Sequence, residues 1–163
     1  RAKCIRDNGT DRYLFYEGEV DAYTWVCDGS RYMPADMLAA YLYAQLGKKE
    51  VIAEQRKKLW DYYYDNLQFL GLPRKLPSSH HIFYFLADNK TERDRILKAL
   101  KEAGIIATFH YQPLNKSTMG MRFDEQDCPV AESVADRIVR LPLYYDLTHE
   151  NQYYIVETLR GIV

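Results

Sequence analysis

The stretch Pro34–Leu67 (PADMLAAYLYAQLGKKEVIAEQRKKLWDYYYDNL) decides how the fold is read. Pro34 sits where a first helical residue belongs, and Asp36 falls near the positive end of the helix dipole. Met37, Leu38, Tyr41, Leu42 and Leu46 form an apolar stripe, while Ala39, Ala40 and Ala44 keep the other side slim enough for close approach. Gly47 weakens the middle by roughly 1 kcal/mol relative to alanine. The spacing then resumes through Val51, Ile52, Gln55, Leu59, Trp60, Tyr63 and Leu67. This predicts one long helix, or two nearly collinear ones, over 34–67, long enough to connect two lobes.

Outward toward the C-terminus, Gly71, Pro73 and Pro77 end the helix. His81 to Ala87 reads as a short buried strand. Thr91 and Asp94 resemble an acidic capping box ahead of Ile96, Leu97 and Leu100, with Gly104 as the stop. Ile105 to Phe109 is β-rich, and 112–128 reads as loop. Pro129 opens a helix running through Ala131, Val134, Ala135 and Ile138, broken by Leu141-Pro142-Leu143. Thr148 caps a last helix carrying Ile155, Val156, Leu159 and Ile162. The expected class is α+β, with a few antiparallel strands covered by helices.

Outward toward the N-terminus, residues 1–33 carry no dominant period. A helical start at Ala2 to Ile5 gives way to the turn signal Asn8-Gly9-Thr10, then to an irregular aromatic run from Tyr13 to Val26. Such a stretch reads as part of a larger fold whose aromatics are exposed, disordered or covered by a second copy. The start at Arg1, with no charged-then-apolar leader, is expected to mean either that the beginning was removed or that the chain starts within a longer protein.

Composition narrows the function. The net charge is -1, from 22 basic and 23 acidic residues, which disfavours a nucleic-acid backbone as partner. Arg56-Lys57-Lys58 after Glu54 reads as a solvated helix face. No run of about 18–20 uncharged apolar residues exists to span a bilayer. Three widely spaced cysteines give neither a disulfide framework nor a zinc pattern, and fit reduced thiols in a cytoplasmic protein. The 15 tyrosines, with their apolar rings and polar tips, favour an oligomer over a lone monomer, and the partner expected is a second copy in a homodimer.

Three places carry candidate chemistry. His80-His81 on a strand would face opposite sides, so a shared metal is disfavoured and local hydrogen bonding by His81 is the simpler expectation. Phe109-His110-Tyr111-Gln112-Pro113-Leu114 sets two polar-tipped rings at a strand exit. Gly29-Ser30-Arg31-Tyr32 leads toward a helix N-terminus, where backbone N–H groups favour phosphate and Arg31 adds a forked donor. Nucleophilic triads cannot be assembled from local spacing.

Read in order, several stretches resemble one family, the DegT/DnrJ/EryC1 sugar aminotransferases: Ile5 to Arg12, Val20 to Val26, Gly29 to Pro34, Ala39 to Leu42 with Gln45-Leu46, His81 to Tyr84, Phe109 to Leu114, Glu132-Ser133 and Leu141 to Tyr145. Within it the chain resembles members serving enterobacterial common antigen synthesis. The resemblance implies part of a fold-type I pyridoxal-phosphate (PLP) transferase, moving an amino group from glutamate to the 4-keto carbon of TDP-4-keto-6-deoxyglucose. It also implies that residues 1–33 are a remnant of the large cofactor domain, 34–70 the connecting helix and 71–163 the small domain. The family's imine-forming lysine matches no lysine here, so the fragment alone is expected to be inactive, with no cofactor bound. Aligned through Gly29 and Ala39-Ala40, the family asparagine that reaches the cofactor phosphate of the neighbouring subunit falls at Arg31, and the family arginine at Met33. The resemblance thus assigns Ser30 and Arg31 to the phosphate, and His110 and Tyr111 to the sugar nucleotide. The final histidine of the latter family segment is Asn115 here. A rival expectation is a stand-alone, non-enzymatic small-molecule-binding or interaction domain derived from the same lobe.

Overall fold

The computed structural model describes residues 1–123 and 126–163. Positions 124 and 125, inside the expected 112–128 loop, lie outside the described residues. The chain forms two compact units, Arg1–Lys49 and Glu50–Val163.

The first unit holds α1 (Ala2–Arg6), α2 (Arg12–Glu17) and α3 (Asp36–Leu46). Its centre is a backbone-to-backbone contact between two glycines. A Cβ on Gly29 would lie 2.3 Å from Gly9 N and 2.7 Å from Ile5 O, and one on Gly9 would lie 1.7 Å from Cys27 O. Gly9 also has φ +74, a conformation that side chains rarely adopt. The Asn8-Gly9 turn and the Gly29 turn are therefore one interlocked feature. The helix α2 was not expected. Gly18, at φ +77, caps it by donating its N–H to Leu14 O and Phe15 O. The run's aromatics are largely exposed, Tyr16 at 76% and Trp25 at 70%.

The helix α3 begins at Asp36 instead of Pro34, because Ala35 stays extended (φ -63, ψ 148) as its N-cap. It ends at Leu46, with Gly47 N–H donating to Tyr43 O at 3.1 Å. The stretch is thus two helices, the second being α4 (Lys49–Asn66). None of α3's residues is buried.

The second unit is built on α4, β1 (Phe83–Leu86), α5 (Lys90–Glu102), α6 (Pro129–Arg137), β2 (Ile138–Leu141) and α7 (His149–Ile162). The strands pair antiparallel, Phe83 opposite Leu141 and Tyr84 opposite Arg140. One sheet face carries Phe83, Phe85, Val139 and Leu141, all buried, and meets Leu59, Tyr63 and Leu67 from α4, Ile96 and Leu100 from α5, and Ile155, Val156 and Leu159 from α7. Each such side chain contributes about 1.5–3 kcal/mol through burial. Two polar contacts fix the helices around this core: Tyr63 Oη donates to the half-buried Pro142 O at 3.0 Å, and buried Gln152 Nε2 to Leu59 O at 2.6 Å.

Several local expectations shift. The strand expected at His81–Ala87 shortens to Phe83–Leu86. The cap of α5 is Asn89, whose side chain accepts from Glu92 N at 3.0 Å, so the capping position lies two residues before Thr91. Glu92 turns to Arg95 with two contacts of 2.6 and 2.8 Å. Pro129 does open a helix, but that helix ends at Arg137 and Ile138–Leu141 becomes β2. The cause is non-local: Ala87 N donates to Arg137 O at 2.9 Å and Arg137 Nε to Ala87 O at 2.7 Å, seeding a pairing that β-branched Ile138 and Val139 continue. Ile105 to Phe109 contributes a single bridge, Thr108 opposite Arg140. Gly104 at φ +76 ends α5 and Thr148 caps α7 by accepting from Asn151 N, both as expected. No helix among the described residues is long and apolar enough to cross a membrane.

Candidate functional site

In the first unit, Ser30 and Arg31 sit on the exposed turn that runs beside the end of α1. Ser30 N donates to Ile5 O at 3.0 Å, Asn8 N to Ser30 O at 3.2 Å, and Tyr32 N to Arg6 O at 3.0 Å, while Arg31 bridges Asp7. These N–H groups are spent within the unit and separated from α3 by Pro34 and Ala35. With the Ser30 and Tyr32 amides engaged, the side-chain donors that the turn offers an anion are the Ser30 hydroxyl and the Arg31 guanidinium.

In the second unit, His110 and Tyr111 lie just beyond the Thr108 bridge. Their rings meet edge-on with centroids 4.9 Å apart. Both line a shallow groove of about 240 Å³ walled by Pro113, Ala131, Val134, Ala135 and Ile138. Tyr111 is 81% exposed, so a ligand there has its ring to cover. His110 is half-buried, and its Nδ1 lies 3.2 Å from Arg140 Nη1. Arg140 is the polar residue that sequence reasoning missed. One charged residue inside the apolar run Ile138 to Leu141 was the available signal, and it is legible only once the run is known to be a strand.

A second cluster shapes the loop that follows. Asn115 Nδ2 donates to Glu132 Oε1 at 2.7 Å and to Gln126 O at 3.0 Å. Glu132 also accepts Cys128 N at 2.9 Å, and Lys116 approaches it at 3.5 Å and Asp127 at 3.1 Å. The Cys128 amide first, then the Asn115 amide, hold the Glu132 carboxyl below its usual range. An amide has two N–H donors. Both of Asn115's are engaged inside the loop, so its nitrogen is not offered to the groove.

The histidine pair behaves locally. Ser79 Oγ lies 2.6 Å from His81 Nδ1, and His80 packs edge-on against Trp60 at 5.3 Å. No group of three or more metal-ligating side chains occurs among the described residues.

A PLP imine centre needs a lysine that can lose its proton, usually by desolvation, and a group to orient the ring. Seven of the ten lysines are engaged by carboxylates at the surface, the opposite of that demand. Lys3 is raised above the ordinary lysine range by hydrogen bonding to Glu17, Lys75 by Asp61 and Lys116 by Asp127. Lys57, Lys58, Lys90 and Lys98 pair with surface carboxylates. The Ser30–Arg31 turn is compatible with a phosphate contact and with nothing more of the cofactor.

Comparison with known proteins places this geometry. Residues 1–160 match the DegT/DnrJ/EryC1/StrS aminotransferase family. A UDP-N-acetyl-3-dehydro-alpha-D-glucosamine 3-aminotransferase of Acidithiobacillus ferrooxidans is 28% identical over 130 residues, covering 77% of this chain and 35% of that protein. A Streptococcus pneumoniae protein assigned as a sugar aminotransferase, solved in apo, PMP and PLP forms, superposes in its apo form with a TM-score of 0.82 at 26% identity, over 98% of this chain and 42% of that one. A DegT DnrJ EryC1 StrS aminotransferase of Brucella abortus gives a TM-score of 0.80 at 25% identity, with 98% and 42% coverage. The chain thus spans less than half the length of these relatives, and its α+β architecture is the one they share over that span. It belongs to the DegT/DnrJ/EryC1/StrS aminotransferase family.

Proposed function

We propose that this chain is part of a PLP-dependent sugar-nucleotide transaminase that moves an amino group from glutamate to the 4-keto carbon of TDP-4-keto-6-deoxyglucose, and that its residues serve binding while the imine chemistry lies elsewhere in the protein. The observation that carries the reading is the His110–Tyr111 pair lining a groove at the segment that resembles the family's sugar-nucleotide contact. One exposed aromatic face and one imidazole suit a ring and its oxygens, and the volume suits a single ring better than a whole nucleotide sugar. A relative named for a nucleotide-linked keto sugar supports the substrate class. The choice of TDP over UDP, the 4-position, and a place in common-antigen or lipopolysaccharide assembly rest on the sequence resemblance.

Ser30 and Arg31 are assigned to the cofactor phosphate of a neighbouring subunit, the guanidinium standing in for the family asparagine with a charge-assisted bond. Self-association to a homodimer is part of the same reading. It is supported by α3, which exposes Met37 at 85%, Tyr41 at 68% and Tyr43 at 82%, an apolar surface that water does not favour. A cytoplasmic location agrees with the substrates. The chain alone is assigned no transaminase activity, since none of its lysines matches the family's imine-forming lysine.

The test is an assay of the protein containing this chain with TDP-4-keto-6-deoxyglucose, glutamate and PLP, following the amino sugar by mass spectrometry. The reading expects a TDP-4-amino-4,6-dideoxyhexose and its loss, by tenfold or more in kcat/KM, in His110→Ala. Product from a UDP-linked 3-keto sugar and none from the TDP-4-keto sugar removes the substrate assignment. A borohydride-trapped PLP adduct on one lysine of the 163-residue chain removes the assignment of binding alone.

A further inference from the structure

The polar face of the two-stranded sheet sets up a proton assignment. Residues directly opposite in an antiparallel pair share a face, and diagonal neighbours lie within reach of long side chains. Arg140 is opposite Tyr84 on one side and Thr108 on the other. Its backbone is clamped by Thr108 in both directions, Arg140 N donating to Thr108 O at 2.7 Å and Thr108 N to Arg140 O at 3.1 Å. His110 is two residues beyond Thr108, which brings its ring to the guanidinium diagonally, at 3.2 Å. Arg140 Nε is buried with no hydrogen-bond partner among the described residues, so the fork's contact with His110 is made by Nη1.

A guanidinium has five N–H donors, no acceptor, and does not deprotonate in proteins. In the Nη1–Nδ1 contact the arginine must donate and Nδ1 must accept. The neutral imidazole then carries its proton on Nε2. We propose that Arg140 is a positioning residue that fixes His110 as the Nε2–H tautomer, so that the ring lining the groove acts toward a ligand oxygen as a donor. This rests on the reading of His110 as a sugar-nucleotide contact. The apolar walls of Ala131, Val134, Ala135 and Ile138 make that single donor more effective than it would be in water.

The experiment is imidazole 15N NMR at alkaline pH on the histidine-labelled 163-residue chain, with His110 assigned by comparison with His110→Gln. In the unaltered chain Nδ1 is expected to show an acceptor shift and Nε2 the attached proton. Arg140→Met, which keeps an unbranched stem and removes every donor, is expected to raise the Nδ1–H population several-fold, and Arg140→Lys to restore most of the original distribution. An Nδ1–H ring in the unaltered chain overturns the proposal, and this measurement stands even where Arg140→Met does not fold. Unchanged tautomers in a folded Arg140→Met chain overturn it as well. TDP is the probe for the pocket. A tautomer that follows Arg140 while TDP affinity ignores both Arg140→Met and His110→Gln supports the proton assignment and removes the pocket reading. A several-fold loss of TDP affinity in both variants supports the two together.

Discussion

Tyr63→Phe removes one oxygen from the centre of the second unit and leaves everything else in place. The Tyr63 ring is fully buried, tilted against Phe83 at a centroid distance of 5.1 Å, and its hydroxyl donates to Pro142 O at 3.0 Å. The variant keeps the ring, so no apolar burial is lost. What is lost is the hydrogen bond, and the Pro142 carbonyl is left without it. That costs about 1–2 kcal/mol, in the lower part of the range because Pro142 is half-buried and water can reach it in part. For a unit of this size the loss corresponds to roughly 4–8 °C in Tm. Urea unfolding at neutral pH, followed by far-ultraviolet circular dichroism, measures it. Tyr64→Phe is the control: its hydroxyl reaches Pro73 O at 3.4 Å in an exposed setting, and a change within about 0.5 kcal/mol is expected. Burial, followed by the nearby Tyr144 and Tyr62, pushes the Tyr63 hydroxyl above its ordinary value of 10.0. A raised folded pKa favours the neutral form, so its contribution is complete below about pH 10 and is lost as pH rises beyond it. Tyr63→Phe should flatten that alkaline decline as well as lower the neutral-pH plateau. A Tyr63→Phe chain as stable as the original at neutral pH, or less stable than it by no more than Tyr64→Phe, would refute the reasoning.

Two further outcomes are expected. Gly9→Ala should unfold the first unit, because its Cβ meets Cys27 O at 1.7 Å, whereas Gly18→Ala, with nothing within 4 Å, should cost only the left-handed strain, about 1 kcal/mol; amide exchange over residues 1–33 separates the two. Glu132 is held below the usual carboxylate range, so its contribution is present above about pH 4.5 and disappears as pH falls through its lowered pKa; Glu132→Gln should abolish that acid dependence in the exchange protection of the Cys128 amide, and a protection that tracks pH equally in both chains would count against the cluster.

How much of this was legible in advance depended on the distance between partners in the chain. Helix ends were readable where one residue carries the cause, as at Gly104, Pro129 and Thr148, because a left-handed φ, a fixed φ or a side-chain acceptor acts within a turn. The cap of α5 slipped by two positions because Asn89 and Thr91 both precede an acidic residue by three, and the choice between them follows from where β1 delivers the chain. Strand β2 was read as helix because Val134 and Ile138 continue a helical spacing, and the competing partner, Ala87, lies fifty residues away. The same error hid Arg140. The candidate site was half legible: His110 and Tyr111 stood out as polar-tipped rings, while the residue that orients the first and the cluster that shapes the loop after the second required tertiary pairing to be seen.

Of the departures from the family pattern, those at positions 31 and 115 differ in physical consequence. At Arg31 a longer, charged side chain stands on an exposed turn where the resemblance expects an amide, so under the proposed phosphate assignment reach and charge both increase. At Asn115 a shorter side chain replaces an imidazole, and both its donors close on Gln126 O and Glu132 Oε1. A histidine at 115 has one N–H at neutral pH and a longer reach, so it cannot satisfy both acceptors and still face inward. Asn115 therefore trades an outward contact for a loop tied to α6 through Glu132. Under the proposed reading, discrimination at this groove then falls to the rings that remain, Tyr111 by its face and His110 by a proton that Arg140 holds on Nε2. Asn115→His tests this directly: the Cys128 amide, which donates to Glu132, should lose protection while TDP affinity changes, and a variant that alters neither shows that position 115 has no part in setting the groove.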